Sequence, residues 1–271
     1  MTQPYPEPDF RKRDLLDDFE RREVTLNGET KLVFVGGQGP AVIVMTEMPG
    51  IYAHVGRFAR MVRDAGFTVW MPNLWGDPGA GVTIGYALRQ MVKNCVSREF
   101  KAFAANESSP VTQWLRALAA HAHPLSGGKG VGAIGMCFTG NFALSMMLEP
   151  AMLAPVLSQP SLPMFNAAAM HISPDELATV RARLENEDLT VLAYRFEGDR
   201  FCKAERFAAF ESALGPRFVG RVLPDACAKQ GMPMRPHSVV TLHLIDRAGE
   251  PTRAAVDEIL AFFGQRLRGD A

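Results

Sequence analysis

The sequence predicts an α/β protein with a mostly parallel central sheet and helices on both faces. Three observations predict it. Short β-like runs alternate with helical stretches, the central runs are continuously apolar like strands covered on both faces, and only the first two are joined by a hairpin signal. The 271 residues are 47% hydrophobic, enough apolar material for one large core, so a single domain is expected over 1–271, with 1–22 as a peripheral N-terminal extension.

Arg22 to Leu26 and Lys31 to Val35 flank Asn27-Gly28, a pair suited to a tight hairpin turn at the sheet edge. Ala41 to Thr46 is an unbroken apolar run, followed by a helix from about His54 to Ala65 and a strand from Phe67 to Met71. Pro72 to Arg98, with its many glycines and prolines, reads as an irregular surface excursion. Val111 to His121 is helical in pattern, with Trp114, Leu115 and Leu118 on one side. Gly130 to Gly135 reads as a buried strand and Phe138 to Leu148 as the helix after it; Ala151 to Leu157 and Thr190 to Phe196 are further strands. Ser173-Pro174-Asp175-Glu176 has the form of a capping box, opening a helix with Leu177, Val180 and Leu184 on one face. Alternation over Val239 to Leu244 suggests a strand, and Val256, Ile259, Leu260, Phe263 and Leu267 recur at helical spacing.

Lysine plus arginine and aspartate plus glutamate each number 29, so no global field favours nucleic acid or an acidic membrane surface. The charged N-terminus lacks a signal-peptide core, and no run is long enough to span a bilayer. The 4 cysteines form no Cys-x-x-Cys pair, and a reduced, cytoplasmic setting without metal or cofactor is expected. Composition does not set the oligomeric state.

The most informative stretch is Gly132-Ala133-Ile134-Gly135-Met136-Cys137-Phe138-Thr139-Gly140, a strand, a sharp turn and a helix with a cysteine at the turn. A nucleophile elbow needs such a turn, because it lifts one side chain above the sheet while small residues flank it. The pattern has Gly135 two residues before Cys137 but Thr139 two after, with Gly140 one place late. A buried structural cysteine and an activated nucleophile both fit this motif.

A nucleophile needs a base, and the base needs an orienting group. In the α/β-hydrolase fold they follow in the order nucleophile, acid, histidine. Asp199 directly follows the strand ending at Phe196, and His237 lies in the loop-rich region before the last helix. As a turn residue Asp199 would be ordinary; its place after a core strand favours a role in the site. Of the other histidines, His121, His123 and His171 read as solvated or capping groups, and His243 as a strand residue. His54 is a candidate near the site.

With Cys137, Asp199 and His237 in this order, the chain resembles the dienelactone hydrolase family from about Val24 to the final helix. Glu47-Met48-Pro49-Gly50 is similar to that family's Glu-x-x-Gly loop. The resemblance implies that Glu47 hydrogen-bonds the resting Cys137 thiol. It also implies that the backbone N–H groups of Met48 and Phe138 form the oxyanion hole. The expected activity is hydrolysis of a small-molecule ester or lactone through a Cys137–His237–Asp199 triad and a thioester. Arg98, Trp75, His54 and Ser238 are candidate substrate contacts. The family's carboxylate-binding arginine, four residues after the catalytic histidine, corresponds to Thr241, which leaves the substrate open. A catalytically silent scaffold for ligand binding or interaction is the alternative.

Overall fold

The computed structural model describes residues 5–95 and 106–268. Among these residues eight strands form one sheet: β1 (Glu20–Leu26), β2 (Glu29–Gly36), β3 (Ala41–Met45), β4 (Thr68–Pro72), β5 (Val131–Met136), β6 (Met152–Ser158), β7 (Val191–Phe196) and β8 (Phe218–Leu223). Their spatial order is β1-β2-β4-β3-β5-β6-β7-β8; β2 is antiparallel to β1 and β4, and the remaining pairs are parallel. Asn27 and Gly28 take φ of 53° and 78°, the left-handed pair that a tight hairpin turn between twisted strands requires.

Among the described residues seven α-helices flank the sheet: α1 (Ala53–Asp64), α2 (Ile84–Cys95), α3 (Pro110–Ser126), α4 (Phe142–Met146), α5 (Pro174–Asn186), α6 (Ala204–Leu214) and α7 (Pro251–Leu267), the last of them after β8. On one face, α1 and α7 pack over Val42, Val44, Ile134 and Met136; on the other, α3, α4, α5 and α6 pack over Ile43, Met45 and Ala133. Strands β3 and β5 are buried along their whole length, so successive side chains feed opposite cores and the apolar runs have no polar face. Ser173 caps α5 by accepting from the Glu176 N–H, and the Glu176 carboxylate answers on the Ser173 N–H.

Three sequence expectations are corrected. Pro72 to Arg98 is not irregular throughout: α2 begins at Ile84, beyond the last proline of the stretch, with Ala87, Leu88, Met91 and Val92 at helical spacing. The helix expected from Phe138 is broken into a 3-10 turn over Cys137–Thr139, closed by the Gly140 N–H on the Cys137 carbonyl, and the short α4, before which the Asn141 side chain donates to the Leu162 carbonyl. Val239 to Leu244 alternates but forms successive turns, stabilised by loop hydrogen bonds instead of a ladder. No helix among the described residues is long and apolar enough to cross a membrane.

The N-terminal segment lies against α1, burying Leu16 and Phe19. Glu7 accepts from His54 Nε2 at 3.1 Å and Arg57 Nη1 at 2.7 Å, and pairs with Lys229. Burial opposes its charge, but hydrogen bonds from His54 and Lys229 and the Arg57 charge outweigh it and hold Glu7 at about 2 rather than 4.5. A carboxylate with a depressed folded pKa stabilises above the unfolded value and loses that contribution as pH falls through the folded one. Glu7→Gln is therefore expected to lower stability at pH 7 by about 1 kcal/mol, a screened figure because Glu7 is 42% exposed. Urea unfolding of both proteins should show the difference closing between pH 4.5 and 2.

Candidate active site

Parallel strands gather their carboxyl ends on one edge, and ligands of open α/β sheets bind outside those ends. Here β3 delivers Glu47 and Met48, β5 delivers Cys137, β6 delivers Gln159 and Ser161, and β7 delivers Asp199. Cys137 has φ 51°, the left-handed conformation that a non-glycine residue occupies at a cost and that turns its side chain out of the strand direction. A Cβ at Gly135 would sit 2.1 Å from the Thr139 carbonyl oxygen, and one at Gly140 would sit 2.4 Å from Pro160 Cα. The tight positions are thus 135 and 140.

This explains Thr139. Its hydroxyl accepts from the Met136 N–H at 2.9 Å and lies 3.1 Å from the Thr46 carbonyl, tying the end of β5 to the end of β3. Thr139→Val keeps the shape and removes both bonds. It is expected to destabilise by about 1–3 kcal/mol, since a buried backbone N–H loses its partner; thermal or urea unfolding measures this.

His237 is buried and its Nδ1 lies 2.7 Å from Asp199 Oδ2. The other oxygen, Asp199 Oδ1, accepts from the Phe201 and Cys202 N–H groups at 2.8 and 3.1 Å, which fixes the carboxylate. Burial works against a charged His237 ring, but Cys137 and Asp199 outweigh it and push its pKa well above the ordinary value. Its Nε2 is buried and meets no acceptor at good hydrogen-bond geometry, and Cys137 lines the same cavity as the ring. His243, read from the sequence as a strand residue, organises this loop. Burial lowers its pKa, and the neutral ring accepts from the Ser238 N–H on Nδ1 at 3.2 Å, with Nε2 3.2 Å from the Met234 carbonyl.

Glu47 is 1% exposed, yet the thiol bond expected for it is replaced by other partners. Oε1 accepts from Tyr52 Oη at 2.6 Å and from Thr241 Oγ1; Oε2 accepts from Ser238 Oγ at 2.7 Å and Gln159 Nε2 at 3.1 Å. Four donors saturate both oxygens. Burial and the adjacent carboxylate raise the Tyr52 pKa well above its ordinary value, so the phenol stays a donor.

A cavity of about 180 Å³ opens above Cys137. Glu47, Met48, Phe138, His237 and Ser238 line it as well, with Asp199 behind His237. Of the candidate substrate contacts, Ser238 is at the cavity, bonded to Glu47. Trp75 is not among the lining residues; it is buried edge-on against Phe138, with ring centroids 5.5 Å apart. His54 faces Glu7 on α1, because its position on the helix directs it to the N-terminal segment. Arg98 lies outside the described residues. Sequence reasoning missed Ala87, Met91, Ser161, Met164, Arg200, Phe201 and Met234 in the lining. The rule that sites form after strand ends could have drawn attention to Ser161, Arg200 and Phe201. Among the described residues no cluster of histidine, cysteine and carboxylate side chains could hold a metal ion.

Residues 30–214 match the family model of the dienelactone hydrolase family. The chain belongs to that family. The match contains Glu47, Cys137 and Asp199, and His237 lies beyond its end. Solved structures of similar shape include a dienelactone hydrolase from Anabaena variabilis, 14% identical with TM-score 0.55, covering 93% of this chain and 100% of its own. Another is a dienelactone hydrolase-like promiscuous phosphotriesterase from metagenomic libraries, 16% identical with TM-score 0.61, covering 92% of this chain and 99% of its own. A cold-adapted esterase from an Arctic intertidal metagenomic library is 11% identical with TM-score 0.54, covering 92% of this chain and 93% of its own. At these identities the likeness establishes the α/β-hydrolase fold. No curated protein matches the chain in sequence. Membership of the dienelactone hydrolase family supports a hydrolase acting on esters or lactones among small-molecule substrates.

Proposed function

We propose that this member of the dienelactone hydrolase family cleaves carboxylic esters or lactones through a thioester on Cys137. The observation that carries the reading is the buried His237, held on one side by Asp199 at 2.7 Å and raised in proton affinity by Cys137 on the other. The imidazole takes the sulfur's proton as the sulfur attacks the carbonyl carbon. The carbonyl oxygen becomes an oxyanion, which the backbone N–H groups of Met48 and Phe138 receive; that both residues line the cavity supports this reading. Collapse breaks the bond to the leaving oxygen, which takes the proton from His237. Water, deprotonated by the same ring, then attacks the thioester and releases the acid, and the proton returns to sulfur. Asp199 holds the tautomer and stabilises the imidazolium.

Glu47, saturated by four donors, fixes Ser238 and Thr241 and so the turn that carries His237. Thr241 stands where the family's carboxylate-gripping arginine is expected, and Arg200, the cation in the cavity lining, is solvent-exposed, where a grip on a carboxylate is screened; together these favour an acyl group without a carboxylate. A panel of neutral and carboxylated esters and lactones tests the reading on wild type and Cys137→Ala. The expected result is turnover by wild type, lost in a folded variant. Equal turnover by both would remove Cys137 from the chemistry, and no turnover by either would favour a silent binding scaffold.

A further inference from the structure

Nine large hydrophobic side chains are exposed among the described residues; two of them line the catalytic cavity, and four more are next in sequence to residues that line it or lie on the same helix as them. Ile84, Leu88 and Val92, 85%, 59% and 57% exposed, follow one another at four-residue intervals on α2, the helix whose Ala87 and Met91 line the cavity. Residues 84, 87, 88 and 91 share one side of a helix, so the exposed stripe runs into the cavity-lining one. Phe201 and Met234 line the cavity and are still 45% and 37% exposed; Phe165, next to the lining Met164, is 82% exposed. Inside, Met48, Met91, Met164 and Met234 supply flexible, polarizable walls that adapt to an unbranched apolar group.

The cavity, at about 180 Å³, is small beside the ~300–1,000 Å³ of a usual small-molecule pocket. A chain longer than a few carbons bound at Cys137 overruns it and meets this apolar rim. We propose that the substrate class is esters of linear, uncharged acyl chains of medium length. The first carbons fill the methionine-lined cavity and the distal carbons lie along Leu88 and Ile84 of α2. This rests on the ester-hydrolase reading and specifies its acyl group. Cavity and exposed stripe belong to one surface, and this continuity points to the substrate's own chain as the occupant.

The test is a series of straight-chain p-nitrophenyl esters from acetate to decanoate, each below its micelle-forming concentration. Wild-type kcat/KM is expected to climb about twofold to fourfold per added methylene, as one-sided to full burial of a methylene gives. Leu88→Ser should cut the decanoate-to-acetate ratio about tenfold, and Leu88→Met should restore it. An optimum at acetate or butyrate, or an equal loss at every length in Leu88→Ser, overturns the proposal. So does size-exclusion chromatography showing that Leu88→Ser splits a dimer while the chain-length series is unchanged, because a second copy then covers the stripe. Linear methyl ketones of the same lengths, titrated calorimetrically into Cys137→Ala, read the chain site without turnover. Affinity rising with length upholds it even if ester hydrolysis fails, and flat affinity sinks it even if hydrolysis succeeds.

Discussion

Cys137→Gly is expected to end ester turnover and to make the protein more stable. The residue sits at φ 51°, where a side chain costs about 1–2 kcal/mol and glycine costs far less. The strain is local and serves to present the sulfur. Glycine relieves it and removes only a small, partly exposed group, so a net gain of about 1 kcal/mol is expected in urea unfolding. Loss of the nucleophile should lower kcat by about 10⁴–10⁶, the range seen when one member of a cooperating triad is removed. Stability and activity should move in opposite directions at this one position. A variant that keeps its turnover would remove Cys137 from the chemistry, and one that loses stability would show that the turn is not strained by its side chain.

Asp199→Asn should lower kcat by about 10⁴ with the fold intact. Oδ1 of Asp199 accepts from two backbone N–H groups, and only an oxygen can do so. The asparagine oxygen must therefore take that side, which turns the amide NH₂ toward His237 Nδ1. The NH₂ then donates to Nδ1, the ring proton moves to Nε2, and the nitrogen facing Cys137 can no longer accept the thiol's proton. Loss of the carboxylate charge also lowers the raised His237 pKa. Steady-state kinetics and circular dichroism of the variant check both halves; full activity would mean that the tautomer is set elsewhere.

Local signals in the sequence proved readable. Asn27-Gly28 specifies a turn with two positive φ angles, Ser173 to Glu176 specifies a cap, and the apolar runs at 41 and 131 specify strands buried on both faces. The sharp turn at Cys137 was readable in outline, with Gly140 one place late, but the reason for that offset was not. A chain that breaks off its helix after one 3-10 turn brings Gly140, rather than residue 139, against Pro160. What stayed hidden depends on distant pairing. Glu47 draws donors from Tyr52, Gln159, Ser238 and Thr241, four separate places in the chain, and no spacing rule joins them. His243 alternates as a strand residue would, yet its ring nitrogens serve the backbone of the His237 loop. The helix α2 was concealed by the glycines and prolines just before it, which break the chain only as far as its first turn.

The central claim is that an acyl group passes through the Cys137 sulfur. Rapid quenching of the enzyme with a slowly deacylating p-nitrophenyl ester, followed by peptide mass spectrometry, tests it most directly. One acyl group on the peptide containing Cys137, released by hydroxylamine, is the expected result. An acyl group on Ser161 or Ser238, or a full burst of p-nitrophenol with Cys137 unmodified, would contradict it.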